Sequence, residues 1–324
     1  MIEEYINYLI LQPSMFESIQ NAISSRIDLS KSDGKDYLIL KEILLQKIQA
    51  DNSNFIYSEM LIWLFVQNKN FSSAFTQVLA LDKRIKGDGY RVLDLGNICL
   101  ENKSYDIARN CFNYIITLGS DNQYYIEGQK LLLNSRFTEL TTNRAFSQVE
   151  IDATLADYSS VIARLGKTKF TIGILNEQAH ILAFYADRAA EAIVILQDAI
   201  LVQSLTDIQR AQVKMQLADI EVLKGDIWEA SLLYMQIDKD FKFEAIGDEA
   251  KYKNARIFYF DGEFDFAQSQ LNILKESTSK IIANDAMHLS VSITENFGLD
   301  SNYTAMTWFS SAELLIEQHK YLEA

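Results

Sequence analysis

The chain reads as an all-α protein of antiparallel helix pairs stacked one on the next. Three observations predict this. Six times an aromatic or apolar residue is followed three positions later by Ala, just after a short polar turn: Phe71/Ala74, Tyr105/Ala108, Ala189/Ala192, Ile227/Ala230, Phe264/Ala267 and Tyr321/Ala324. Successive alanines of this set lie 34, 84, 38, 37 and 57 residues apart, and a period in the mid-thirties is that of a two-helix repeat. The 324 residues include one proline, Pro13, and 12 glycines. Proline costs about 3 kcal/mol inside a helix, and a sheet-rich chain would need more turn residues.

The N-terminal 53 residues read as a helical flank without a clear repeat. Glu4 to Leu11 is one short helix, ended near Pro13. Ser14 can cap a second helix running to about Ile27. After the loop-like Ser30–Gly34 stretch, a third helix spans Tyr37 to Gln49.

The repeat array is expected over 54–324. Its first pair is Ile56–Gln67 with Phe71–Leu81, its second Tyr90–Glu101 with Tyr105–Leu118. An irregular, longer pair, Gln123–Thr138 with Gln148–Leu165, makes 121–165 break the period and explains the 84-residue gap as two repeats. Regular pairs resume with Ile172–Tyr185 and Ala189–Val202, then Ile208–Lys224 and Ile227–Phe241, then Glu244–Phe260 and Phe264–Lys275. A second irregularity, 281–298, is a lone helix Ile281–Asn296 stopped by Gly298. Thr304–Gln318 then opens a pair that Tyr321 and Ala324 begin to complete, so the chain is expected to be trimmed from a longer protein. Each helix carries an apolar stripe too wide to hide against one neighbour. Ala belongs where two helices cross closely, and the aromatic three residues earlier fills the gap beside it.

These residues resemble the tetratricopeptide repeat, and the chain is similar to long bacterial multi-repeat proteins of that kind. Val92, Leu95-Gly96 and Cys99 lead to Tyr105, Ala108, Phe112 and Ile115. Leu217-Ala218 leads to Ile227, Ala230, Tyr234 and Ile237. Ala255 and Phe258 lead to Phe264, Ala267, Leu271 and Leu274, and Trp308, Ser311-Ala312 and Leu315 lead to Tyr321 and Ala324. Four repeats fit well and two, around Ala74 and Ala192, fit loosely. The proline that often ends each repeat is missing, and His180 stands where a small residue is usual. The resemblance implies a right-handed solenoid that binds protein on a concave face formed by the first helix of each pair.

Composition narrows the partner. Thirty basic against 44 acidic residues give a net charge of −14 without any basic run, and nucleic-acid binding needs clustered Lys and Arg. No stretch approaches the roughly 20 apolar residues of a membrane span. Met1-Ile2-Glu3-Glu4 has no basic leader segment, which leaves an exported full-length protein open. Cys99 and Cys111 are too few for a disulfide framework or a zinc site and read as buried thiols. Asp285 and His288 share one helix face but lack a second ligand pair, and Gly87-Asp88-Gly89 follows a helix and is no dinucleotide loop. No cofactor is expected. An all-helical toroid hydrolysing sugars would cast Asp157, Asp219 or Glu221 as acids, but a solvated helix face explains them more simply.

The expected role is therefore a non-enzymatic scaffold that binds a protein or peptide. A segment contacting the rest of its own longer chain is the alternative. First-helix faces offer Asn97, Asp219 and Arg256, with Leu93, Glu177 and Met215 where a carboxylate clamp would want cations, so no such clamp is expected. The candidate binding residues are Trp63, Tyr90, Asn97, Phe184, Tyr252, Arg256 and Tyr259. They offer an amphipathic groove to an extended or helical segment.

Overall fold

The computed structural model describes residues 2–51, 53–142, 146–277, 279–296 and 303–324. Among them are 17 α-helices, one short 3-10 turn (Pro13–Met15) and no strand. The helices are α1 (Ile2–Leu11), α2 (Phe16–Ser24), α3 (Lys35–Ala50), α4 (Phe55–Gln67), α5 (Phe71–Ile85), α6 (Tyr90–Glu101), α7 (Tyr105–Thr117), α8 (Tyr125–Thr142) and α9 (Gln148–Leu165). They continue with α10 (Ile172–Phe184), α11 (Ala189–Ile200), α12 (Asp207–Lys224), α13 (Ile227–Asp240), α14 (Ala245–Phe260), α15 (Phe264–Leu274), α16 (Lys280–Asn296) and α17 (Tyr303–Glu317). Each of the 17 helices foreseen before Tyr321 is present, with ends shifted by a few residues. Gly298 lies outside the described residues.

The chain divides into two compact units, Met1–Arg144 and Ala145–Ala324. In each, consecutive helices pack as neighbours, which makes the architecture an all-α solenoid of antiparallel pairs. In the first unit α3 packs on α4, α4 on α5, α6 on α7 and α7 on α8. In the second, α9 packs on α10, then α10/α11, α12/α13 and α14/α15 form successive pairs, followed by α16. α8 packs on α7 in the first unit, and α9 packs on α10 in the second.

The period has a visible cause. Ala74, Ala108, Ala192, Ala230 and Ala267 have no exposed surface. At the Leu95-Gly96 step a single added carbon on Gly96 would stand 2.5 Å from the Phe112 ring and 3.0 Å from Cys111 Cβ, so α6 and α7 approach too closely for a side chain there. The turn inside each pair is built alike. Lys69, Lys103, Asp187, Gly225 and Gly262 all take left-handed backbone with φ of 55°, 60°, 54°, 108° and 87°. In the Lys69 turn the bonds Asn68 N–H to Leu64 O, Lys69 N–H to Val66 O and Asn70 N–H to Phe65 O close the first helix. The Lys103 and Gly262 turns repeat this pattern. Asn70 caps α5 through its side chain, whereas Ser147 and Thr206 open α9 and α12 with capping boxes.

The last helix departs from the expected stacking. The turn after α17 has the same bonds, from Gln318, His319 and Lys320 to Leu314, Ile316 and Leu315, and His319 is left-handed at φ 60°. By this signature α17 is a first helix. It packs on α14, and the turn after it reaches the ends of α12 and α10. Thr307 lies beside Gly262 at the end of α14, Glu313 meets Tyr259, Glu317 meets Arg256, Gln318 donates to Val222 O at the end of α12 (3.2 Å), and His319 lies against Phe184 at the end of α10. Tyr321 and Ala324, expected at the start of a helix, stand in turns after α17, although Ala324 N–H donates to Lys320 O as the repeat alanines do to their caps.

Candidate functional site

The first unit presents its first helices with an open apolar cavity. Phe16 from α2, Ile62, Trp63 and Val66 from α4, and Tyr90 and Ile98 from α6 line about 230 Å3. Trp63 is half-buried and Tyr90 is 56% exposed. Tyr90 is held from below: its N–H donates to Asp88 Oδ1 (3.0 Å), and its ring lies 6.1 Å from that of Tyr124. Asn97, also on α6, is half-buried and stands outside the cavity lining.

Two charged features mark the rim. Arg91 and Glu59 pair across α6 and α4, Nε to Oε1 at 2.8 Å. Asp94 faces the same cavity, and its pKa is raised by burial, with the charge of Glu101 adding to the effect.

In the Gly87-Asp88-Gly89 stretch, Gly87 stands against a buried carboxylate, and Gly89 takes left-handed backbone at φ 90° against Ile115 and Leu118. Asp82 is 1% exposed and accepts from the Gly89 N–H (3.2 Å) and the Tyr114 hydroxyl (2.8 Å). A carbon added at Gly87 would stand 2.2 Å from Asp82 Oδ1. Burial, with the Asp82 bond and charge, pushes the Tyr114 hydroxyl up to about 12.

In the second unit the corresponding face is partly occupied by α17 and keeps a cavity beside it. Asp219 of α12 accepts from Tyr234 Oη (2.6 Å) and from Lys253 Nζ (2.7 and 2.8 Å). Arg256 of α14 reaches both carboxylate oxygens of Glu317 on α17, at 3.3 and 2.8 Å, and its guanidinium lies 5.1 Å over the Phe260 ring. Tyr259 is 1% exposed and donates its hydroxyl to Glu313. Phe184 sits between His180 and His319, at ring distances of 4.6 and 6.0 Å. Tyr252 is half-buried beside a cavity of about 430 Å3 that Asp285, His288 and Glu313 also line.

The protonation shifts follow from this packing. Burial pushes the Tyr234, Tyr252 and Tyr259 hydroxyls up, helped by Asp219 for Tyr234 and by Glu313 for Tyr259. Burial works to lower Arg256, but its bond to Glu317 and the charges of Glu317, Tyr252 and Tyr234 together outweigh this and the net shift is upward. Desolvation lowers His180. Cys99 and Cys111 are both fully buried free thiols, and burial raises both, Cys99 to about 12.

The seven candidate residues therefore divide by environment. Trp63 and Tyr90 line an open cavity, Asn97 stands beside it, Phe184, Arg256 and Tyr259 meet α17 or the turn after it, and Tyr252 lines the second unit's cavity together with Arg256 and Tyr259. The partners that sequence reasoning missed are Glu313 and Glu317. Their i, i+4 spacing puts both on one helix face, but nothing local says that Tyr259 and Arg256 stand opposite.

Among the described residues, no group of three or more His, Cys, Asp or Glu is placed to hold a metal ion, and no helix is long and apolar enough to cross a membrane. The chain matches no family model, and no curated protein matches it.

Proposed function

We propose that the chain is a non-enzymatic protein-binding scaffold of tetratricopeptide-like pairs, and that its first-helix faces hold a helical segment. One observation carries this reading: α17 packs on α14 through Arg256–Glu317 and Tyr259–Glu313, and the turn after it reaches the end of α12 through the Gln318 side chain. A face that holds one amphipathic helix by aromatic and charged side chains is the general helix-in-groove arrangement. In the first unit the cavity at Trp63 and Tyr90 is open and of a size for one or two apolar side chains. Aromatic residues in such pockets are the usual anchors of an interface.

The second reading, a segment that contacts the rest of its own chain, draws on the same observation, since the occupant of the second unit comes from within the chain. A photo-crosslinking side chain in place of Tyr90 in the native cell separates the two. A discrete cross-linked protein, lost on Trp63→Ala, supports the scaffold. Cross-links confined to the same chain support the architectural reading. Cross-links no more specific than those from exposed Asp106 would contradict both.

A further inference from the structure

The outer edge of the second unit carries an aromatic strip that the first-helix faces do not use. Trp228 at the start of α13, Phe258 near the end of α14 and Phe266 at the start of α15 touch in sequence, with ring centroids 5.6 Å apart edge-on and then 4.2 Å apart. Trp228 is 49% exposed and Phe266 45%. Leu232 and Met235 extend the strip along α13 at i+4 and i+7 from Trp228, and both are exposed. A ladder of rings on three successive helices is a larger apolar surface than singly scattered exposed residues make.

The charges around it are of one sign. Glu229 follows Trp228, Asp265 precedes Phe266, and Asp261 and Glu263 occupy the turn between α14 and α15. All four are exposed, and none has an ion-pair partner among the described residues. The nearby cation, Lys224, is already held by Asp226 (2.6 Å) and Glu221 (3.9 Å). The setting amplifies this: Ala145–Ala324 contains 15 basic and 27 acidic residues, a net of −12, against 15 and 17 in Met1–Arg144, a net of −2.

From this juxtaposition we infer that the Trp228–Phe258–Phe266 strip docks a basic amphipathic helix of another protein. Apolar side chains of the partner lie along Trp228, Leu232 and Met235, and its Lys or Arg residues meet Glu229, Asp261, Glu263 and Asp265. Charge complementarity selects this occupant. A second copy of the chain would bring a second net −12 surface, and an anionic bilayer would be repelled by the same carboxylates.

The probe is a synthetic amphipathic peptide of Leu and Lys, about five turns long, with a Leu/Glu counterpart as control. Binding is read by peptide anisotropy and by the emission of Trp228 in a Trp63→Phe, Trp308→Phe background. The Leu/Lys peptide should bind saturably at one site, shift Trp228 emission to the blue and weaken with salt. Trp228→Ala or Phe266→Ala should weaken it about tenfold or more. Glu263→Lys with Asp265→Lys keeps the rings and should transfer preference to the Leu/Glu peptide, so the inference does not depend on the tolerance of ring removal. Binding that ignores all four substitutions, or that is absent at about 100 μM, overturns it. A Trp228-dependent dimer in sedimentation, or a blue shift on phosphatidylcholine vesicles instead of the peptide, overturns it in favour of self-association or a membrane.

Discussion

The first helices of the two units are built on one plan and finished differently. In Met1–Arg144, α4 and α6 leave Trp63 and Tyr90 around an open apolar cavity, with an ion pair at the rim. In Ala145–Ala324, α14 packs on α17, and Arg256, Tyr259, Asp219 and Lys253 bond α17 or one another. The difference resides in a few side chains. Arg256 stands at the position in its pair that Asn97 holds in α6, counted back from the aromatic that opens the second helix. A guanidinium there fixes the Glu317 carboxylate with two bonds, whereas an amide offers no charge.

Truncating one aromatic on each face should expose that contrast most strongly. Tyr259→Ala removes a buried ring and leaves Glu313 without its donor. It should destabilise the protein by about 3 kcal/mol, as large core truncations do. Tyr90→Ala, on a half-exposed ring, should change stability by no more than about 0.5 kcal/mol. Urea melts of the two variants check this, and equal losses would erase the distinction between a packed face and an open one.

Arg256→Ala comes next. Arg256 and Glu317 are 30% and 45% exposed, so solvent screens their attraction. The loss should be about 1 kcal/mol, yet it should fall on α17. Limited proteolysis should then cut first after residue 303, with α4–α7 as resistant as in the unchanged protein.

A smaller effect concerns alkaline stability. Cys99 and Tyr114 are raised in the folded state, from 9.0 and 10.0 to about 12 each. Below pH 9 both states keep these protons, and the stabilisation is fully present. As pH climbs from 9 toward 12 the unfolded chain releases them while the folded chain holds them, so stability falls. Thermal melts from pH 8 to 11 should show this decline, and Cys99→Ala should flatten it after its own cavity loss is subtracted. A decline unchanged by Cys99→Ala and Tyr114→Phe would assign it to other groups.

The helices were legible because their signals are local. Asn70, Ser147 and Thr206 cap helices through bonds that span three residues, and the repeat alanines mark close crossings wherever they occur. The open cavity was partly legible too, since Trp63 and Tyr90 fall on first helices. The path of α17 was not. Trp308, Ser311-Ala312 and Leu315 look like any first helix, and the turn at His319 has the usual bonds. Its route depends on Glu317 meeting Arg256 and on Gln318 meeting Val222, residues 61 and 96 positions away.

Hydrogen exchange over residues 303–317 tests the central claim most directly, because that claim is that a first-helix face holds a helix. The account predicts that α17 amides are protected together with those of α14. It also predicts that Glu313→Gln with Glu317→Ala lowers protection of α17 while leaving α6 and α7 unchanged. Exchange of α17 at unprotected rates in the unaltered protein, with α14 still protected, would contradict it.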